Sequence, residues 1–180
     1  MLYVVIACHF KNKDELCETT IARLLAALKV AKSGDRIIVT GDVPYAPGSK
    51  TLGQLMWDWL TKNGFPAWGT FVLHRGVGTF SEARIACILL KNTKEVTVVS
   101  SPWYFFQAKP IWQRRAKESG IKISFVSVPN TGGWRTILTY AILGLVVRVA
   151  IFIGLEKVLE DRLTASQQKR HEGFTFDGCK

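Results

Sequence analysis

At 180 residues, with 48% hydrophobic content and a mean hydropathy of +0.14, the chain holds enough apolar material for one sizeable core without disulfide or metal staples. A net charge of +10 favours anionic partners, yet no zinc-finger, helix-turn-helix or RNA-recognition pattern accompanies it, so nucleic acid is not the expected partner. The cysteines (Cys8, Cys17, Cys87, Cys179) follow no CxxC or Cys/His zinc spacing, which predicts thiols in a reducing compartment and no metal site.

In chain order, a first apolar run, Leu2–Ala7, breaks off at Cys8-His9, without the basic start and cleavage site of a secretory signal. Lys11–Glu18 reads as a polar connection. Over Thr20–Lys32, the apolar residues Ile21, Leu24, Leu25 and Leu28 follow helical spacing, stopped by Ser33-Gly34. A second run, Arg36–Thr40, ends at Gly41-Asp42 and a turn-rich loop to Gly48. The helix predicted over Thr51–Asn63 opens with the Thr51/Gln54 capping-box spacing and ends at Gly64, with Pro66 beyond.

A third run, Thr70–Leu73, leads into His74-Arg75-Gly76, and Gly76–Glu82 feeds a helix to about Lys91. The fourth, Val96–Val99, ends at Ser100-Ser101, with Ser101 as a helix cap and Pro102 at the first helical position. That helix is expected to kink or restart near Pro110 and stop at Gly120. A fifth run, Ile121–Val128, precedes the Asn130–Gly133 loop, and Thr164–Lys180 reads as a loosely ordered polar tail.

β-branched runs alternating with helices predict an α/β three-layer sandwich of Rossmann-like type, with a mostly parallel five-stranded sheet and helices on both faces. Ligands of such sheets bind outside the carboxyl ends of the strands. His9, Gly41, Asp42, His74, Arg75, Ser100 and Ser101 all fall there. Gly76–Glu82 fits an anion cradle at a helix N-terminus, with Gly78 and Thr79 in the loop and Arg75 adding charge. The same residues also fit a plain capping box, Thr79 with Glu82. Asp42 fits a ligand-binding carboxylate or a self-capped turn equally. No G-x-S-x-G elbow surrounds Ser100-Ser101, which argues against a hydrolase triad, and His9 and His74 fit either function or structural hydrogen bonding.

The stretch Ile137–Leu155 is apolar or small except for Thr139, Tyr140 and Arg148. Three placements compete: buried against the sheet, docked on a membrane surface, or spanning the bilayer. Arg148 near the middle counts against spanning, and a buried helix would have to give Arg148 a partner.

The order of the motifs resembles the bacterial domain-of-unknown-function family that contains the YdcF, SanA and ElyC proteins. Four blocks over roughly residues 2–130 carry the similarity. They are Arg23–Leu28 leading to Ser33-Gly34, the strand end Ile37–Gly41, the helix start Gly78–Ala83 (like the family's T-x-x-E-A), and Val96–Ser101 before an aromatic-rich helix. The family's histidine after that strand falls on Tyr104, its arginine on Gln107, and its glycine-rich first strand end on Ala7-Cys8-His9. The resemblance implies a Rossmann-like fold, a link to the cell envelope, and a nucleotide-type ligand such as S-adenosylmethionine.

The resulting expectation is a domain binding a small anionic or nucleotide-type ligand at the strand ends. Asp42 and Glu82 are its candidate catalytic groups, and His9, Gly41, Arg75, Gly78, Thr79, Ser100, Ser101 and Tyr104 its candidate binding residues. Whether it is an enzyme of envelope metabolism stays open. The alternative is a non-catalytic membrane-surface protein docking through Ile137–Leu155. Either reading places it in the cytoplasm, with peripheral membrane association and self-association both left open.

Overall fold

The computed structural model describes residues 1–74, 76, 78–129 and 133–172. Five strands, β1 (Leu2–Val5), β4 (Arg36–Val39), β5 (Thr70–Val72), β6 (Glu95–Ser100) and β7 (Lys122–Ser127), form one sheet in the order β5-β4-β1-β6-β7. Every pairing is parallel. The predicted α/β sandwich with helices on both faces is therefore the fold observed.

The side-chain period of two in a strand explains why these runs are apolar throughout. Tyr3, Val5, Ile37, Val39 and Val99 join the core under α1 (Glu18–Val30) and α2 (Leu52–Lys62). Val4, Ile6, Ile38 and Val98 join the opposite core, under α3 (Thr79–Leu89) and α4 (Pro102–Glu118). The chain leaves β1 for β4 on one side and returns for β6 on the other. The reversal in strand order thus lies between the carboxyl ends of β1 and β6, where ligands of this architecture bind.

Several local expectations are corrected. The connection after β1 contains a small hairpin, β2 (Phe10–Asn12) with β3 (Glu15–Leu16), and α1 starts at Glu18 with Cys17 as its cap. Pro110 neither ends nor restarts α4, which runs unbroken to Glu118. Lacking an N–H, Pro110 leaves the Phe106 carbonyl unclaimed within the helix. Gly144 of α5 (Trp134–Phe152) occupies that gap: a Cβ on Gly144 would lie 2.2 Å from the Phe106 oxygen. Thr51 and Gln54 do form the predicted capping box.

The predicted polar tail is helical as α6 (Glu156–Glu172), with the remainder outside the described residues. Its start docks on α4 through charge, as Arg115 pairs with Glu156 and, at 3.6 Å, with Glu160. Leu159 and Leu163 pack against the α3/α4 core. Burial of α5 against the sheet is not what occurs. It lies along α4, buries Gly144, Val147 and Ala150, and leaves Leu138, Ile142, Leu145, Val149 and Phe152 exposed. Arg148 is exposed as well and, among the described residues, has no ion-pair partner.

Candidate functional site

The centre of the crevice is a residue that the predicted binding set omits. Arg23, on the inward face of α1 beside Leu24 and Ala27, is fully buried. Its Nη1 donates to the carbonyls of Ile6 (2.8 Å) and Ala7 (2.9 Å) as β1 ends, and its Nε donates to Ser101 Oγ at 3.1 Å. The guanidinium therefore bridges the β1 and β6 ends at the strand-order reversal. Its carbon also lies 5.6 Å from the Trp103 ring centroid and 5.2 Å from that of Tyr104. Ser101 is the α4 cap by position but does not cap with its side chain. Its hydroxyl serves Arg23 instead.

Glu82 is the second centre. The capping-box alternative fails because Gly78, not Thr79, caps α3. One position further into the helix than a box requires, Glu82 turns its carboxylate inward. Thr40 Oγ1 and the Gly41 amide both donate to that carboxylate. Thr40 Oγ1 also accepts from Ala7 N–H at 3.0 Å, which ties β1 and β4 together at the same point. Gly41 has φ +100°, and a Cβ there would come within 3.0 Å of Ala7 Cβ and 3.2 Å of Leu52 Cβ. Gly76 is needed for space, since a Cβ on it would meet Glu82 Cγ at 2.8 Å.

Burial pushes the Glu82 carboxyl up from 4.5 to about 7, against the two hydrogen bonds and the positive Arg23, which pull it down. A buried acid titrating near neutrality beside a buried cation can hold or release a proton under ordinary conditions. Beside it, the Tyr104 hydroxyl meets Thr79 Oγ1 at 2.5 Å. Burial first, and the Glu82 charge second, raise the phenol well above its usual range. Tyr104 therefore holds its proton. Its ring meets Trp103 edge-on and Tyr140 at a tilt, at centroid separations of 5.8 and 5.3 Å.

Asp42 lies on the rim. Its Oδ1 reaches His74 Nδ1 at 3.3 Å, joining the ends of β4 and β5, with the histidine largely exposed. Gly78 supplies a carbonyl that accepts from Glu82 N–H (2.8 Å) and Ser81 Oγ (2.9 Å). Ser100 is fully buried, and its hydroxyl has no hydrogen-bond partner among the described residues. His9 is exposed on the hairpin side, where its carbonyl accepts from Cys17 N–H at 3.2 Å. Arg75 lies outside the described residues.

Three buried donors at this end of the sheet have no hydrogen-bond partner among the described residues: Arg23 Nη2, Ser100 Oγ and Trp103 Nε1. Among the described residues, no group of His, Cys, Asp and Glu has the makings of a metal site. A separate open groove of about 850 Å³ lies between the hairpin, α1 and α2, and shares no lining residue with the Arg23–Glu82 cluster. Its charges are mixed, and Lys50 there is already paired with Asp58 at 2.6 Å. No protein-family model matches the chain, and no curated protein matches it in sequence.

Proposed function

We propose that the chain is a Rossmann-like binding domain for a small anionic or nucleotide-type ligand, received between the carboxyl ends of β1, β4 and β6. The observation that carries this reading is the pair of centres Arg23 and Glu82. A buried cation with one nitrogen unsatisfied among the described residues sits near an acid whose surroundings bring its pKa close to neutral pH. Leaving a buried charged donor unpaired is costly, and the cost falls when an oxyanion accepts from it.

In this reading Arg23 Nη2 meets the anionic group, assisted by Trp103 Nε1 and Ser100 Oγ. Glu82, protonated below about pH 7, avoids repelling the anion and can donate to it. Asp42 with His74 would orient a polar part of the ligand at the rim, and Tyr104 with Thr79 would form the wall. The resemblance to the YdcF, SanA and ElyC family supports S-adenosylmethionine or another nucleotide as the type of ligand and the bacterial envelope as its setting. A catalytic role for Glu82, as the group that moves a proton, belongs to the same proposal.

The test is a thermal-shift panel of nucleotides, S-adenosylmethionine, nicotinamide cofactors, nucleotide sugars and isoprenoid phosphates, with and without a divalent metal. At a hundred-fold excess over Kd, a ligand adds about 2.7 kcal/mol of stability. Glu82→Ala and Asp42→Asn are expected to weaken binding by the hit while folding normally. Undiminished binding in both variants removes the site assignment.

A second reading is favoured by α5. Its most hydrophobic window has a mean hydropathy of 1.8 and is 17% buried, and Phe152 is 90% exposed. A face so apolar, with Arg135 and Arg148 as its only charges, suits docking on an anionic lipid surface. The anchoring of α6 to α4 through Arg115 favours α5 lying flat over crossing the bilayer. Sedimentation with anionic vesicles that is reversed by salt or detergent supports this reading. A protein that stays in the supernatant at low salt removes it.

A further inference from the structure

At the mouth of the crevice, beyond the anion site, two cysteines are held against each other by the backbone. Cys8 follows β1, and Cys17 caps α1 after the β2–β3 hairpin has brought the chain back. Thr20 Oγ1 fastens both: it accepts from Cys8 N–H at 3.1 Å and lies 3.4 Å from Cys17 Sγ. Cys17 N–H, in turn, donates to the carbonyl of His9, the neighbour of Cys8, at 3.2 Å. The Cys8 side chain neighbours Cys17 Sγ and favours its ionised form. Two cysteines tied to one threonine hydroxyl and joined through a backbone hydrogen bond have neighbouring side chains, the condition for bridging them.

We infer that Cys8 and Cys17 are a reversible dithiol–disulfide couple, oxidised by a peroxide. The division of labour follows from position. Cys17 sits at the positive end of a helix of 13 residues, and the Cys8 side chain first, then Thr20 and His9, outweigh burial and bring its thiol down to about 4. Cys17 is therefore assigned as the attacking sulfur. Cys17 sulfur attacks the peroxide oxygen, the O–O bond breaks, and protonation of the departing oxygen releases water (or an alcohol from an organic peroxide). The resulting Cys17 sulfenic acid is then attacked by Cys8 sulfur, which loses its proton as the S–O bond breaks. A second water leaves, and the S–S bond has formed. Both sulfurs are oxidised and the peroxide is reduced. A thiol reductant reverses the step by exchange.

The half-buried Cys8 is the more accessible partner, and Cys17, 4% exposed, is open only to a small oxidant. Cys87 is a contrast. Its thiol is buried in the α3/α4 core and pushed up to about 11, which makes it a poor nucleophile.

The test is peptide mapping of the full-length protein, treated briefly with hydrogen peroxide while folded and then unfolded for alkylation. Trypsin releases Cys8 within Met1–Lys11 and Cys17 within Asp14–Arg23. Oxidation is expected to join these two peptides by a bond that dithiothreitol cleaves, and to block alkylation of both cysteines together. In Cys8→Ser, Cys17 should stop at the sulfenic acid and be captured when the peroxide-treated protein is unfolded in the presence of dimedone. In Cys17→Ser, which keeps a good helix cap, Cys8 should remain alkylatable. Circular dichroism confirms that each variant is folded. Both peptides staying separately alkylated after peroxide treatment overturns the inference. So does a first cross-link through Cys87 or Cys179, or a Cys8→Ser protein that dimedone does not label.

Discussion

Glu82 makes stability depend on pH in a direction opposite to that of most carboxylates. Its carboxyl stands at about 7 in the fold against an ordinary 4.5. The folded chain therefore binds the proton more tightly than the unfolded chain. Below pH 4.5 both states are protonated and nothing is lost. As pH rises towards 7, the unfolded carboxyl ionises first, and stability falls until the folded one ionises too. Moving a carboxyl this far costs its charged form about 3 kcal/mol. For a chain of this size that corresponds to roughly 6–12 °C in Tm.

Glu82→Gln keeps the shape and an acceptor for Thr40 and Gly41 while removing the titration. The assay is thermal or urea unfolding of both proteins, without ligand, from pH 4.5 to 8. The Glu82→Gln variant should gain on the wild type by about 3 kcal/mol as pH rises from 4.5 to 7. The gap should then stay constant. Parallel profiles across that window would mean that Glu82 is ionised throughout, and would refute the reasoning.

Gly144→Ala places a Cβ against the Phe106 carbonyl, and should cost about 1–3 kcal/mol or more in urea unfolding because backbone must move. Little change in stability would mean α5 does not cross α4 there. Tyr104→Phe removes the hydrogen bond to Thr79 and should cost about 1 kcal/mol by the same measurement. Arg23→Met leaves the Ile6 and Ala7 carbonyls and Ser101 Oγ without their donor and strips Glu82 of its cation. It should cost about 3–5 kcal/mol, and carbonyl-selective spectroscopy should show Glu82 titrating still higher.

The sheet was readable because parallel strands buried on both faces are continuous apolar runs, and all five runs became strands. The β2–β3 hairpin was not, because strands of three and two residues with one buried side chain each leave no period to detect. In the site, spacing misled at Thr79–Glu82. The pattern fits a capping box, but the helix starts at Thr79, and this shift turns Glu82 from a solvent cap into a buried acid. Arg23 did leave a signal, since it falls within the apolar stripe of α1 where a charge needs a buried partner. That partner is the end of β1, a long-range contact that no local pattern contains. The placement of α5 was equally non-local. Its own composition fits burial, but only Gly144, Val147 and Ala150 find neighbours to bury them.

The most direct test of an anion received beside Glu82 is calorimetric titration of the thermal-shift hit at pH 6 and pH 8, each in two buffers of different ionisation enthalpy. If Arg23 holds the anion and Glu82 must stay protonated next to it, affinity is higher at pH 6. Binding at pH 8 should then take up close to one proton per ligand, and Glu82→Gln should abolish that uptake. Affinity and proton uptake that are the same in wild type and Glu82→Gln at both pH values would place the ligand elsewhere and contradict the account.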